Sequence, residues 1–270
     1  MKPITPQGES LKLIHVTDLN LPELQIYRTL RDNQTTRDNS FIADSPKVVT
    51  MLLETDIQVR SILATESYYN DYVEQLKRKH IPTLYVAPRE VIETIIGHRI
   101  HHNVMMHGIR PPHKNLDALG DRIIMLDALS KTENVGAIAR SAAALGVHSF
   151  VVPANGPHPY GRRALRVSMG HISKLDLHIY RDIRSTLRTL KEKGYRIYAA
   201  EVTPDATPLS KVHVTEKWVL LMGHEQQGIS PGVLELCDEV VRIEMEPEIK
   251  SFNVAIAASI MLYHFSNAFP

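Results

Sequence analysis

The sequence predicts an α/β protein: a larger parallel-sheet domain preceded by a smaller α/β unit. Three observations predict it. Beyond about residue 121, short apolar runs alternate with helix-type runs, the pattern of a parallel sheet covered by helices. Turn-forming residues crowd IRPPHKNLDALG at 109–120 and set this region apart from an earlier α/β stretch. Three polar loops, around Asn134, Gly223 and Ser251, follow apolar runs, and ligands of open α/β sheets bind at such strand ends.

The chain begins with a basic arm of helical character that carries Arg28, Arg31 and Arg37, with Lys47 beyond it. FIADSPKVVTMLLE then reads as a strand over 41–43, a turn at Asp44-Ser45-Pro46 and a helix. VRSILATE and TLYVAP read as strands on either side of the polar helical run YYNDYVEQLKRKH. The arm and this unit form a first domain, 1–115, and a second covers 121–270. In the second, RIIMLDAL, SFVVPA, RIYAAEV, WVLLMG and EVVRIEM are the expected strands. NVGAIARSAAALG, RDIRSTLRTLKEKG, PGVLELC and NVAIAASIMLYHF are the expected helices, with Gly146 and Gly194 as stops. The last helix is apolar nearly all round, so it must be covered on most sides, in the core or at a subunit interface.

Bulk properties exclude several classes. The single cysteine, Cys237, rules out an internal disulfide framework and fits a reducing compartment; its apolar surroundings suggest an inert buried thiol. No apolar run reaches the roughly 18 residues of a membrane span. The start, MKPITPQGES, lacks the apolar core of a secretory signal, so a cytoplasmic location without a membrane partner is expected. A net charge of +1 neither demands nor excludes nucleic acid. No P-loop, G-x-G-x-x-G or G-x-S-x-G motif is present. His98, His101, His102 and His107 lack accompanying carboxylates or cysteine, so no metal is expected.

In ENVGAIAR, Thr132 or Asn134 can cap a helix, Gly136 permits close backbone approach, and Asn134 and Arg140 would share one side of the helix start. Free amides and a permanent positive charge there suit a phosphate or a developing oxyanion. In GHEQQGIS, Gly223 would let the backbone approach a flat ligand, and Gly228 suits a positive-φ turn before Ser230-Pro231 opens a helix. Glu225 stands at the strand mouth. Ser251 or Asn253 can cap the last helix. A capped helix and a plain βα loop would also explain these motifs taken singly. Arg162, Arg163 and Arg166 would share a helical face, either solvated or set against phosphate.

In order and spacing the three loops resemble the signature motifs of the SpoU family of RNA ribose methyltransferases, within the SPOUT superfamily. The resemblance covers residues from about 121 to the end; FIADSPKVV and HHNVMMHGIRP resemble that family's substrate-binding domain. It implies a trefoil-knotted C-terminal domain, S-adenosylmethionine as cofactor, a homodimer, and methyl transfer to a ribose 2′-hydroxyl of tRNA or rRNA. By the same resemblance the catalytic set is Asn134, Arg140, Glu225, Ser251 and Asn253. The cofactor set is Ala200, Gly223, Ile243, Met245 and Phe252. Glu244 stands where the family has proline, Phe252 where it has leucine, and Pro247-Glu248 where a glycine is common. These departures motivate an alternative: a dimeric RNA-binding protein that keeps the fold with little or no turnover.

Overall fold

A computed structural model describes residues 11–29, 38–79, 81–100 and 102–268 of the chain. Arg31, Arg37 and His101 lie outside the described residues, as does MKPITPQGES. The chain divides into two compact units. One comprises Met1–Pro111 with Tyr160–Ser173, the other Pro112–Pro159 with Lys174–Pro270.

The first unit is built on a mixed five-stranded sheet in the order β1-β4-β3-β5-β2. Its elements are β1 (Lys12–His15), α1 (Gln25–Thr29), β2 (Ser40–Asp44), α2 (Pro46–Leu53), β3 (Gln58–Ala64), α3 (Glu66–Arg78), β4 (Thr83–Val86), α4 (Arg89–Ile96) and β5 (Val104–Ile109). The expected strand, turn and helix over 41–53 are present: Ser45 caps α2 through Val48 N, and Pro46 occupies the first turn. The described part of the arm is less helical than expected. It adds β1 as a parallel edge strand on β4, with only a short helix, α1, after it. Ile14 of β1 packs on the cluster of Leu63, Tyr85, Ile92 and Met105, and that burial outweighs the local helical tendency. Strand β5 was not expected, because VMMHGI is poor in β-branched residues. Pairing with β3 on one side and β2 on the other makes it a central strand. Its Val104, Met105 and Met106 are buried.

The second unit has a seven-stranded, wholly parallel sheet in the order β10-β12-β9-β11-β6-β7-β8. It opens with β6 (Arg122–Leu126), α5 (Thr132–Ala144) and β7 (Ser149–Pro153). The next helix, α6 (Arg162–Val167), belongs to the first unit. The chain returns as β8 (Asp176–Tyr180), α7 (Ile183–Glu192), β9 (Arg196–Ala200), β10 (Thr207–Pro208), β11 (Trp218–Met222), α8 (Pro231–Leu234), β12 (Glu239–Arg242) and α9 (Val254–Asn267). All the expected strands and helices form; β8 and the two-residue β10 are additional. Ile123, Met125, Ile197, Val219 and Leu221 from the sheet pack against Leu187 and Leu190 of α7. Burying each such side chain contributes about 1.5–3 kcal/mol.

Two elements differ from expectation. The arginine-rich α6 is not simply a solvated or ligand-facing cluster. Arg162 Nε donates to Asp44 Oδ2 at 2.6 Å, and Arg166 Nε lies 3.4 Å from Asp44 Oδ1. The Tyr160 ring meets Phe41 edge-on at 5.4 Å. The last helix, α9, buries Ala258, Met261, Leu262 and Phe265, with Phe265 edge-on to Tyr198 and Trp218. Its other face is uncovered within one chain: Ile256 is 53% and Tyr263 64% exposed. Cys237 is half-buried, and burial pushes its thiol up to about 11, which keeps it protonated and unreactive.

Candidate active site

A parallel sheet places all its C-terminal strand ends along one edge, and the three loops meet there. The ends of β9, β11 and β12 open a cleft of about 200 Å³. Ala200, Gly223, Ile243, Met245, Ser251 and Phe252 line it together with Glu225. Apolar walls come from Met222, Val254, Ala257 and Met261, of which Met222 and Met261 are buried.

Asn134, Glu225 and Asn253 form one hydrogen-bonded chain. Asn134 Nδ2 donates to Glu225 Oε1 at 2.9 Å, and Asn253 Nδ2 donates to Asn134 Oδ1 at 3.3 Å. Asn253 Oδ1 in turn accepts from Ala255 N and Ile256 N, so it also caps α9 as expected. Each of the three loops contributes one residue. Asn134 is buried, and a buried amide with both ends engaged has a single defined orientation.

Glu225 gathers donors from the loop after β6. Its Oε2 accepts from Ser130 N and Ser130 Oγ, and its Oε1 from Lys131 N, each at 3.1 Å. Burial alone would raise this carboxyl. The Ser130 backbone, the Asn134 amide and the Lys131 backbone override it and hold the group down at about 2. The Ser130 and Lys131 amides leading into α5 are therefore occupied by the protein's own carboxylate. Neither Thr132 nor Asn134 caps α5; Lys131 is the cap residue and makes no side-chain cap bond.

Arg140 stands apart. Six residues at about 100° each put it roughly 120° around the helix from Asn134. Asn134 is buried while Arg140 is exposed, so the two do not share a side, and Arg140 does not line the cleft. Among the described residues it has no hydrogen bond or ion pair.

Gly223 is needed for a reason beyond the expected one. A Cβ there would lie 2.6 Å from Gly228 C and 2.6 Å from Ile229 Cγ1, so the close approach is made by its own loop. Gly228 has the expected positive φ, 65°, and Ser230-Pro231 begins α8. Sequence reasoning missed Glu201. This cleft residue holds the same loop by accepting from Ile229 N at 2.8 Å, and a Cβ on Gly228 would meet its Oε2. Its signal was a carboxylate just past a strand end, the same signal that singled out Glu225. His224 was missed too; its Nδ1 accepts from Gln226 N and Gln227 N and closes the turn. Glu244, the departure nearest the third loop, does not line the cleft. It is exposed and bound to Ser210 Oγ, which pulls its carboxyl below the usual range.

The chain is similar to known proteins in sequence and in fold. An uncharacterized tRNA/rRNA methyltransferase of Mycobacterium bovis is 29% identical over 266 residues, 94% of this chain and 92% of that protein. The AdoMet-bound rRNA methyltransferase from Sinorhizobium meliloti superposes with a TM-score of 0.83 at 22% identity, covering 96% of this chain and 99% of its own. An RNA 2′-O ribose methyltransferase gives 0.76 at 22% identity, covering 94% and 99%. At those identities the two structures speak for the fold. The model of the SpoU rRNA methylase family matches residues 121–263, more than half of the chain, and spans all three loops. The chain belongs to the SpoU rRNA methylase family.

Proposed function

We propose that this SpoU-family methyltransferase moves a methyl group from S-adenosylmethionine to a ribose 2′-hydroxyl of tRNA or rRNA, as a cytoplasmic homodimer. The observation that carries the reading is the Glu225–Asn134–Asn253 chain, which ties the three loops together beside the cleft. The cleft suits the cofactor: it pairs apolar walls with a carboxylate that stays ionised well below neutral pH, as a cationic sulfonium would require. The bound cofactor would supply a methyl group activated by its positive sulfur. Ala200, Gly223, Ile243, Met245 and Phe252 would hold it.

The protein's own groups then position and stabilise. Glu225, held at about 2, is too weak a base to take the hydroxyl proton. Its part is to fix Asn134 and the loop at Ser130 and Lys131. Ser251 lines the cleft and offers a hydroxyl to orient the ribose. The Arg140 guanidinium would stabilise a developing alkoxide or clamp a phosphate. Because Arg140 does not line its own cleft, that role requires a second copy. The uncovered α9 stripe of Ile256 and Tyr263, beside Phe252 at 40% exposure, supports such a dimer.

Two measurements test the reading. Calorimetry should detect S-adenosylmethionine binding, and RNA incubated with protein and cofactor should gain 2′-O-methyl groups. RNA binding without cofactor binding would favour the alternative, a non-catalytic RNA-binding protein.

A further inference from the structure

A second cleft, of about 220 Å³, lies in the first unit where the segment after α4 faces α6. Its wall carries three guanidiniums, Arg99, Arg162 and Arg166, against a single carboxylate, Asp44. The Asp44 side chain is only 6% exposed, and it engages the Nε of Arg162 and of Arg166. That leaves their terminal Nη groups for a ligand. Arg99 is exposed, and among the described residues it has no hydrogen bond or ion pair. An internal ion-pair network would need only enough cations to match Asp44; Arg99 is surplus to it. The site is therefore pre-shaped for an anion that a guanidinium fork recognises, and phosphate is the best match.

The remaining lining narrows the ligand. His98 and His102 add two aromatic planes, and Val104 and Met105 form a buried apolar floor. The space exceeds the roughly 150 Å³ cavity that accepts benzene. Unpaired RNA bases stack on histidine and arginine planes, whereas a bare phosphate needs no such floor. We propose that this cleft binds one unpaired nucleotide of the RNA substrate. Its phosphate would lie on Arg99, Arg162 and Arg166, and its base against the histidines and the apolar floor. This rests on the RNA methylation reading above and adds a substrate site to it.

The test uses the full chain, a fluorescent mixed-sequence oligoribonucleotide, and anisotropy over a range of salt. Arg99→Ala and His102→Ala leave the Asp44 pairs intact, and thermal unfolding verifies that both variants are folded. Arg99→Ala should weaken RNA binding about five- to ten-fold at about 0.1 M salt and flatten the slope of log affinity against log salt by about 0.7. His102→Ala should weaken binding with the slope unchanged. S-adenosylmethionine affinity should be unaltered in both. Adenosine 5′-monophosphate should compete better than inorganic phosphate. Wild-type RNA affinity and slope in both folded variants would overturn the proposal and leave the methyltransferase reading standing. Equal competition by inorganic phosphate would reduce the cleft to a small-anion site and overturn the nucleotide. No RNA affinity in the wild type would overturn both readings.

Discussion

Asp44, at the end of β2, and Glu225, just beyond β11, are the carboxylates around which the two units build their clefts. Both are mostly buried, with side chains 6% and 10% exposed. They are satisfied by opposite means. Asp44 faces two guanidiniums, so its cleft carries surplus positive charge. Glu225 accepts from neutral amide and hydroxyl donors, so its own negative charge remains. One cleft is suited to an anion and the other to a cation, which are the signs of an RNA phosphate and of a sulfonium. The partner of a buried carboxylate thus sets the sign of the ligand as well as the stability of the loop.

Substitutions that separate the two units test this contrast, beginning with the glycines. Gly223→Val forces atoms into Gly228 and Ile229 and should lower S-adenosylmethionine affinity at least about 100-fold by calorimetry, with overpacking costing about 1–3 kcal/mol. In the first unit Gly97, at φ 79°, has open space around its Cβ position. Gly97→Ala should therefore cost only the left-handed backbone penalty of about 1–2 kcal/mol in denaturant unfolding and leave the cofactor alone.

Neutralising the carboxylates comes next. Asp44→Asn leaves two half-buried guanidiniums facing each other without an anion and should cost about 2–3 kcal/mol of stability. Glu225→Gln keeps the shape but turns an acceptor oxygen into a donor facing Ser130 or Lys131. We expect methylation to fall about 100-fold, with a stability loss of about 1–3 kcal/mol. The pH dependence distinguishes it further. The folded pKa of Glu225, about 2, is below its ordinary 4.5, so its stabilisation is present above 4.5 and lost as pH falls through 2. Unfolding midpoints measured across that window should fall less steeply in Glu225→Gln than in the wild type. Equal slopes would mean that the donors around Glu225 do not hold its charge.

Smaller effects follow on α9. For the proposed homodimer, Ile256→Glu places a charge on the uncovered stripe and should shift light scattering from dimer to monomer, with the chain still folded because Ile256 is outside the core. Asn253→Ala removes both the helix cap and the link to Asn134. It should cost about 1 kcal/mol of stability and lower kcat more than cofactor affinity. An unchanged kcat would show that Asn134 is oriented by Glu225 alone.

Deletion of residues before 115 is a poorer dissection than the sequence suggests. It removes β2 with Phe41 and Asp44, and so strips Tyr160, Arg162 and Arg166 of their partners. In the described part of the arm Arg28 is exposed, and its Nε donates to Ile95 O at 2.6 Å. Among the described residues no helix is long and apolar enough to cross a membrane.

The sequence by itself determined the elements that local pattern controls. Short apolar runs located β6, β7, β9, β11 and β12; the first four are buried over most of their length, and a strand covered on both faces must be apolar. Glycine, proline and capping residues marked the loops, because few residues tolerate those backbone angles. Strand β5 escaped because its residues have weak strand preference and only its neighbours, β3 and β2, hold it extended. What tertiary structure alone decided was who meets whom. Asn134 finds Glu225 91 residues away, Asn253 finds Asn134 across 119, and Arg162 finds Asp44 across 118. No local periodicity encodes such pairs. They are set by strand order, and by which helix face the core leaves for a polar side chain once its apolar area is buried.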